Sequence, residues 1–143
     1  MNFTQLRHSL LHTLRGDVVL SALLGRDEQG QPQVYETLAP NGVRPPYLTF
    51  ALVPTGAAPE GHFGDSEAIK FFGIQLSSWG RTKDETWQIN EAAHEAMMRG
   101  DWSVDLKPDY RLQIASQGNQ QELEDPTTRL IYVPETFRLT VAR

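Results

Sequence analysis

The spacing of apolar residues predicts two short helices at the start of the chain. Apolar side chains recur there three and four positions apart, which is typical of one face of an amphipathic helix; they are Phe3, Leu6, Leu10 and Leu14. We expect Asn2 to cap this helix and Gly16 to end it. Asp17 is then placed to cap a second helix over residues 18–24, which Gly25 would stop.

Four later segments are rich in branched and aromatic residues or alternate between apolar and polar, which is typical of strands. They cover residues 47–53, 69–79, 112–116 and 130–141. Before them, Val34 and Tyr35 are expected to form a short extended piece. A helix is predicted between the second and third of them, over residues 81–98. Thr82 and Glu85 form a capping box at its start, and Gly100 follows its end.

The order of these elements predicts an α+β fold. We expect a small antiparallel β-sheet with the N-terminal helices and the one central helix packed on one face, in a single domain over residues 1–143. Within the second strand, Gly73 predicts a bulge or a close backbone approach. Within the last strand, Pro134 predicts an edge position or a bulge.

Two prolines stand directly before the first predicted strand, in the sequence VRPPYLTF. Each proline favours an extended conformation in the residue before it, so Pro45 and Pro46 predict a stiff, extended lead-in. Proline is tolerated at the start of a strand, where its missing N–H is not needed. We therefore expect Pro45, Pro46 and Tyr47 to fix the register of the strand, with Leu48 and Phe50 on one face.

The distribution of charge argues against direct binding to nucleic acid. The net charge is −5. From Asp84 to Asp125 there are ten acidic and three basic residues, whereas the rest of the chain has eight acidic and ten basic ones. A protein that grips nucleic acid usually carries a basic stripe. Ten of the 13 basic residues are arginine, which is enriched at protein interfaces and gives a weak indication of assembly.

The composition also limits the chemistry. The chain has no cysteine, which excludes disulfides, thiolate zinc sites and thiol nucleophiles and suits synthesis in the cytosol. Apolar residues near the N-terminus are spaced rather than continuous, and no long apolar run occurs anywhere. We therefore expect a soluble protein with no secretory signal and no membrane-spanning segment.

Patterns typical of metal sites and catalytic sites are incomplete. His8 and His12 have a spacing that can share a metal ion on a helix, but no third ligand lies near them in the sequence. His94 is followed by glutamate as in the HExxH motif, but Met98 stands where its second histidine would be. Glycine-rich phosphate motifs and the G-x-S-x-G elbow do not occur. A serine triad assembled in space stays open.

A longer pattern covers most of the chain, about residues 5–141. It consists of GDVVLSALLG, then VYETLAPNGVRPPYLTF, then FFGIQLSSWGRTKDE and a helix ending in AMM. Its most specific residues are Tyr35, Glu36, Ala39, Pro40, Pro45, Pro46 and Tyr47. In these features the chain resembles the tail completion proteins of long-tailed bacteriophages and prophages, which are also called tail terminators or head–tail joining proteins.

The resemblance implies a structural protein of the virion, with no enzymatic activity and no cofactor. It implies a ring, commonly of six subunits, on the head-proximal end of the tail tube. The implied partners are other copies of the chain, the tail tube protein and the connector or stopper protein of the head. DNA would pass through the ring without specific binding. Assembly would take place in the cytoplasm of the bacterial host.

The segment over about residues 54–67 is rich in small residues and predicts a flexible loop. If the protein forms the implied ring, we expect this loop to become ordered on contact with the tail tube or a neighbouring subunit. Its candidate interface residues are Gly56, Ala57, Ala58, Pro59, Glu60, Gly61, His62, Phe63 and Gly64. We expect a surface role for His62 and the nearby Asp65, because a flexible loop is a poor platform for preorganised chemistry.

The acidic segment carries a second expectation. If part of it faces the channel of a ring, Asp101, Asp105 and Asp109 would repel the DNA backbone and let DNA slide. The alternative is a solvated outer face. Two other classes of function also stay open, namely a small interaction or adaptor module of a bacterial cell and a hydrolase with a dispersed active site.

Overall fold

A computed structural model of the protein describes residues 3–53, 69–99 and 111–142. In these residues the chain forms three helices and six strands. Their bounds are α1 (Phe3–Gly16), α2 (Val18–Leu23), β1 (Val34–Glu36), β2 (Tyr47–Val53), β3 (Ile69–Gly80), α3 (Lys83–Met98), β4 (Arg111–Gly118), β5 (Leu123–Glu124) and β6 (Ile131–Ala142). The three helices and the four long strands are confirmed. The short extended piece expected at Val34 and Tyr35 is strand β1, whereas the short strand β5 was not predicted.

The strands form one sheet in the order β1-β2-β3-β6-β4, and β5 pairs with β6. The pairs β2–β3, β3–β6 and β4–β6 are antiparallel, as predicted, and the pair β5–β6 is antiparallel too. The pair β1–β2 is parallel, with Val34 opposite Leu48. The α+β class is therefore confirmed, and one short parallel strand makes the sheet mixed.

The core lies between one face of the sheet and the helices. Alternate residues of each long strand point to this face, so Leu48 and Phe50 of β2 are buried together as predicted. Leu6, Leu10 and Leu14 of α1 are also fully buried in the same cluster. Each buried leucine stabilises the fold by about 1.5–3 kcal/mol relative to an exposed one. None of the helices in the described ranges has the length and apolar character needed to cross a bilayer.

The start of α3 has the predicted capping box. Thr82 Oγ1 accepts a hydrogen bond from the N–H of Glu85 at 3.1 Å. Glu85 Oε1 accepts the N–H of Arg81 at 2.9 Å, one residue earlier than in the standard box. The buried side of the helix is rich in small residues, which lets it lie close to the sheet; these residues are Ala92, Ala93 and Ala96.

Of the two alternatives predicted at Gly73, the bulge is wrong, and the close backbone approach stays a prediction. Gly73 pairs with Val53 on one side and Arg138 on the other, and neither ladder shifts register there. The side chain of Arg138 turns over the ring of Phe71, with its guanidinium carbon 4.2 Å from the ring centroid. A residue without a side chain directly opposite Arg138 leaves the sheet surface open for this cation–π contact.

The edge position predicted for Pro134 is also wrong, because β6 lies inside the sheet. Pro134 is opposite Ser77 of β3. On the other side of β6, pairing with β4 ends at Thr136 and pairing with β5 begins at Tyr132. Pro134 therefore lies between these two pairings, where no strand is paired with this side of β6 and a proline is tolerated. The bulge in this region lies in β4, between Ser116 and Gly118.

Candidate interaction surfaces

Two of the predicted sites lie outside the described residues. The candidate interface loop, Gly56 to Gly64, belongs to the segment between β2 and β3. The candidate channel residues Asp101, Asp105 and Asp109 belong to the segment between α3 and β4. The roles expected for both segments therefore stay predictions.

The third predicted site, at the start of β2, lies within the described residues. Tyr47 is the first residue of the strand. The extended lead-in predicted before it is wrong, because Pro45 and Pro46 form a bend and the peptide bond between them is cis. The carbonyl oxygen of Pro46 accepts hydrogen bonds from the N–H of Gly25 at 3.0 Å and from Gln33 Nε2 at 3.1 Å. The junction is thus held by polar contacts with the loop after α2.

Gln33 organises this junction from a nearly buried position. Its side-chain amide also donates to the carbonyl oxygen of Arg44 at 3.1 Å, and its Oε1 accepts the hydroxyl of Tyr35 at 3.2 Å. Its backbone carbonyl accepts the N–H of Leu48 at 2.9 Å. A Cβ atom on Gly25 would overlap Gln33 Nε2, so only glycine fits there without displacing the amide.

A row of aromatic rings crosses the sheet on the face away from the helices. Trp79 of β3 stacks between two rings, that of Tyr132 with centroids 4.4 Å apart and that of Tyr47 with centroids 5.5 Å apart. Tyr35 of β1 meets Tyr47 edge to face. Trp79 Nε1 also donates to Thr49 Oγ1 at 3.0 Å. These contacts tie four strands together on a sheet face that carries no helix of the described residues.

Burial raises the pKa of two tyrosines in this row above the ordinary value. For Tyr35 the nearby carboxylate of Asp27 adds to the effect, and for Tyr47 the carboxylate of Asp125 does so. Both hydroxyls therefore stay neutral well into the alkaline range. The row is therefore neutral at physiological pH, with Tyr47 buried and the other three rings half-buried.

A buried carboxylate joins α3 to the sheet. Glu135 of β6 is 1% exposed, and its Oε2 lies 2.6 Å from His94 Nδ1 and accepts the hydroxyl of Ser116 at 2.6 Å. Its Oε1 accepts the amides of Asn90 at 3.2 Å and Gln120 at 3.0 Å. Burial of a carboxylate is costly unless hydrogen bonds satisfy it, and these four partners do so.

The same cluster brings a serine, a histidine and an acid together, but not in the order of a catalytic triad. In a triad, the histidine lies between the nucleophile and the acid and takes the proton of the serine. Here the carboxylate of Glu135 lies between Ser116 and His94 and accepts directly from the hydroxyl. This geometry holds α3 against β4 and β6 and does not activate Ser116 as a nucleophile.

The two histidines of the incomplete metal-site pattern on α1 are at the surface. His8 and His12 lie on the exposed side of α1, in an open pocket with Arg15 and Gln31. Within the described ranges, no group of three or more residues has the geometry to hold a metal ion. His62 lies outside these ranges.

Exposed apolar residues lie next to an ion pair that joins the start of α2 to the end of α3. Asp17 caps α2 by accepting the N–H of Leu20, and its other oxygen pairs with Arg99 at 3.0 Å. This ion pair brings Val18, which is 82% exposed, to the same end of the helix layer as Met98, which is 41% exposed. Exposed apolar groups that lie together are typical of surfaces that contact another protein.

Neither Glu135 nor Gln33 was predicted as part of a site, and only Glu135 had a weak signal in the sequence. Glu135 stands at a position of β6 where the alternation of residues predicts an apolar, buried side chain. The sequence thus indicated a buried acid, but it gave no indication of which residues contact it. Gln33 had no such signal. Its side-chain amide donates to the backbone carbonyl oxygens of Arg44 and Pro46. Because every residue has a backbone carbonyl, these partners leave no signal in the sequence.

Comparisons with known proteins agree with this fold. The profile of the family described as tail completion protein gp17 matches residues 8–142. A chain from a solved structure described as the virion of a native gene transfer agent (GTA) particle is 19% identical, with a TM-score of 0.62. The alignment covers 95% of this chain and 93% of that one. At this identity the similarity establishes a shared fold alone. A search of curated proteins found no match.

Proposed function

Because the chain belongs to the tail completion protein gp17 family, and is thus a structural protein of the phage tail, we propose that it caps the head-proximal end of the tail tube and joins the tail to the head. The observation that carries this proposal is the family match over residues 8–142, which spans every helix and strand except the start of α1. The virion is then its final location, and the host cytoplasm its place of assembly.

We further propose that the protein acts as a ring, commonly of six subunits, through which DNA passes without specific binding. A closed ring needs two different surfaces on each subunit, because each contact joins unlike patches. The described residues offer unlike surfaces, namely the outer edge of β4 at one side of the sheet and the apolar cluster at the end of the helix layer. The net charge of −5 favours free passage of DNA over its retention.

The proposed neighbours in the virion are the tail tube protein on one side and the connector or stopper protein of the head on the other. We assign the segment Gly56 to Gly64 to one of these contacts or to a neighbouring subunit, and Asp101, Asp105 and Asp109 to the wall of the channel. Neither an enzyme nor a cofactor is needed for these roles. Capping and joining are achieved by surface complementarity.

Deletion of the gene from the phage or prophage that carries it tests the proposal. We expect electron microscopy of the lysate to show heads without tails and free tails of irregular length. The chain supplied from a plasmid should restore joined particles. Normal yields of joined particles from the deletion strain would overturn the proposal.

A further inference from the structure

An open pocket of about 420 Å³ lies on the exposed side of α1. Its lining residues are His8, Leu11, His12, Arg15, Gly16 and Gln31. Three of them are basic or can become so, and none is acidic. The whole helix has two arginines, two histidines and no aspartate or glutamate. The pocket, called the α1 pocket below, therefore has the charge and hydrogen-bond donors that suit a carboxylate.

Arg15 is the arginine of the pocket, and its hydrogen-bonding capacity is not filled. One of its terminal nitrogens, Nη2, donates to the carbonyl oxygen of Val34 at 3.2 Å. Its Nε is buried without a partner, and no carboxylate of the described residues forms an ion pair with it. The other arginine of the helix, Arg7, pairs with Glu36 at 2.7 Å. The charge of Arg15 in the α1 pocket is thus uncompensated, whereas Glu36 compensates the charge of Arg7.

The complementary surface is on α3 of the same chain. Asp84, Glu91 and Glu95 recur seven and four positions apart and are exposed, on the side of the helix opposite its buried alanines. In the described part of the chain, none of these three carboxylates has a basic partner. With one lysine and four acidic residues, α3 has a net charge of −3. These three residues are called the α3 stripe below.

We propose that the α1 pocket binds the α3 stripe of a second copy of this chain, with the Glu91 and Glu95 carboxylates on Arg15 and the histidines. One chain carries both halves of a complementary pair, and contacts between subunits of a ring join two unlike surfaces. A phosphate of DNA is a poorer occupant, because the pocket offers one arginine and two histidines rather than a basic stripe that could follow a phosphate backbone. This contact rests on the proposed ring and names surfaces that would form it.

Engineered cysteines test the contact directly, because the chain has none of its own. The double variant His12→Cys/Glu95→Cys should give a ladder of disulfide-linked oligomers on a non-reducing gel of purified particles. Either single variant should give none, since the contact joins unlike surfaces. The control Arg44→Cys/Glu95→Cys uses an exposed residue outside the pocket and should also give none. Joined particles that carry the double variant and show no ladder would overturn the proposal.

Charge reversal provides an independent readout. His12→Glu should lower the yield of joined particles by about tenfold or more, because it sets like charges opposite one another. His12 is exposed and makes no hydrogen bond within the described structure, so its replacement spares the fold; an unchanged melting temperature checks this. Pairing His12→Glu with Glu95→Arg should restore the yield.

The outcomes separate this contact from the proposed function. If the gene deletion blocks joining but His12→Glu does not lower the yield, the contact is wrong and the function stands. If His12→Glu lowers the yield, and neither the swap nor the cysteine pair reports contact between copies, the pocket binds a different partner and the proposal is likewise wrong. If the deletion itself leaves joined particles normal, the proposed function fails.

Discussion

His94 Nδ1 of α3 lies 2.6 Å from Glu135 Oε2 of β6, and this contact joins the longest helix to the centre of the sheet. The carboxylate contacts two other parts of the chain at the same time, because Ser116 belongs to β4 and Gln120 to the loop after it. A single buried acid therefore fixes the position of α3 over three parts of the sheet. Networks of this kind stabilise a fold when every member is satisfied.

Removal of the Glu135 carboxylate should destabilise the protein strongly. In Glu135→Ala, three buried or half-buried polar side chains and the exposed Gln120 lose their common partner, and we expect the free energy of unfolding to fall by about 2–5 kcal/mol. Urea denaturation followed by circular dichroism measures this change. The matched control is Glu95→Ala on the exposed side of α3, for which we expect a change within about 0.5 kcal/mol. Equal stabilities of the two variants would contradict the role of Glu135.

The helices and long strands could be predicted because the information for them is local. Leu6, Leu10 and Leu14 recur every four residues over about two helical turns, and the box of Thr82 with Glu85 lies within one turn. The partners of Glu135 could not be predicted, because Asn90 is 45 residues away in the sequence and Gln120 is 15 away. Such contacts exist only once the strands are in order.

The junction before β2 likewise combines a local feature that could be predicted with tertiary contacts that could not. Its sequence was enough to predict that the strand begins at Tyr47, since proline is accepted at the start of a strand. The bend at Pro45 and Pro46 is accompanied by bonds from Gly25 and Gln33, which lie on a different loop. Local conformational preference alone predicted an extended lead-in, and tertiary contacts overrode it.

Three glycines should differ in their tolerance of alanine. A Cβ on Gly80 would lie 2.6 Å from the backbone nitrogen of Thr86, which cannot move away without shifting α3, so we expect a loss of about 2–4 kcal/mol. At Gly25 the new atom meets the side-chain amide of Gln33, which can move, and we expect about 1–2 kcal/mol. Thermal denaturation of the two variants measures this order.

Gly16 is the control for this series. It has no atom within 4 Å of the Cβ position and is the last residue of α1, so alanine should be neutral or stabilising by up to about 1 kcal/mol. A Gly80→Ala variant as stable as Gly16→Ala would contradict the close approach of β3 and α3.

Acid should weaken the capping of α3. The hydrogen bonds and charge of Arg81 hold the pKa of Glu85 below its ordinary value near 4.5. A carboxyl with a lowered pKa in the folded state stabilises the protein above its unfolded pKa, and this gain is lost as the pH falls through the folded value. We expect Glu85→Gln to be less stable than the unmodified chain by about 0.5–1 kcal/mol at pH 7.

The difference for Glu85→Gln should shrink below about pH 4.5 and vanish at lower pH. Urea denaturation at a series of pH values measures it. Glu91→Gln is the control, because Glu91 is exposed on the same helix and has no ion pair in the described part of the chain. A difference for Glu85→Gln that grows as the pH falls would contradict the assignment.

The acidic residues assigned to the channel should control the passage of DNA. In the triple variant Asp101→Lys, Asp105→Lys and Asp109→Lys, a repulsive wall becomes attractive, and we expect slower DNA ejection that recovers with added salt. Fluorescence of a DNA dye during triggered ejection from purified virions measures the rate. Triple replacement by asparagine removes charge without adding attraction and should have a smaller effect. Unchanged ejection and unchanged particle assembly in the lysine variant would show that these residues do not line the channel.

The segment between β2 and β3 should be required for joining and not for folding. The strands β2 and β3 pair from Tyr47 with Trp79 to Val53 with Gly73, and none of these pairs includes a residue from Ala57 to Gly64. We therefore expect a deletion of Ala57 to Gly64 to keep cooperative unfolding and to abolish joined particles in a complementation assay. A glycine-serine replacement of the same length separates the need for these side chains from the need for loop length. If the deletion supports normal particle yields, the segment makes no essential contact in the virion.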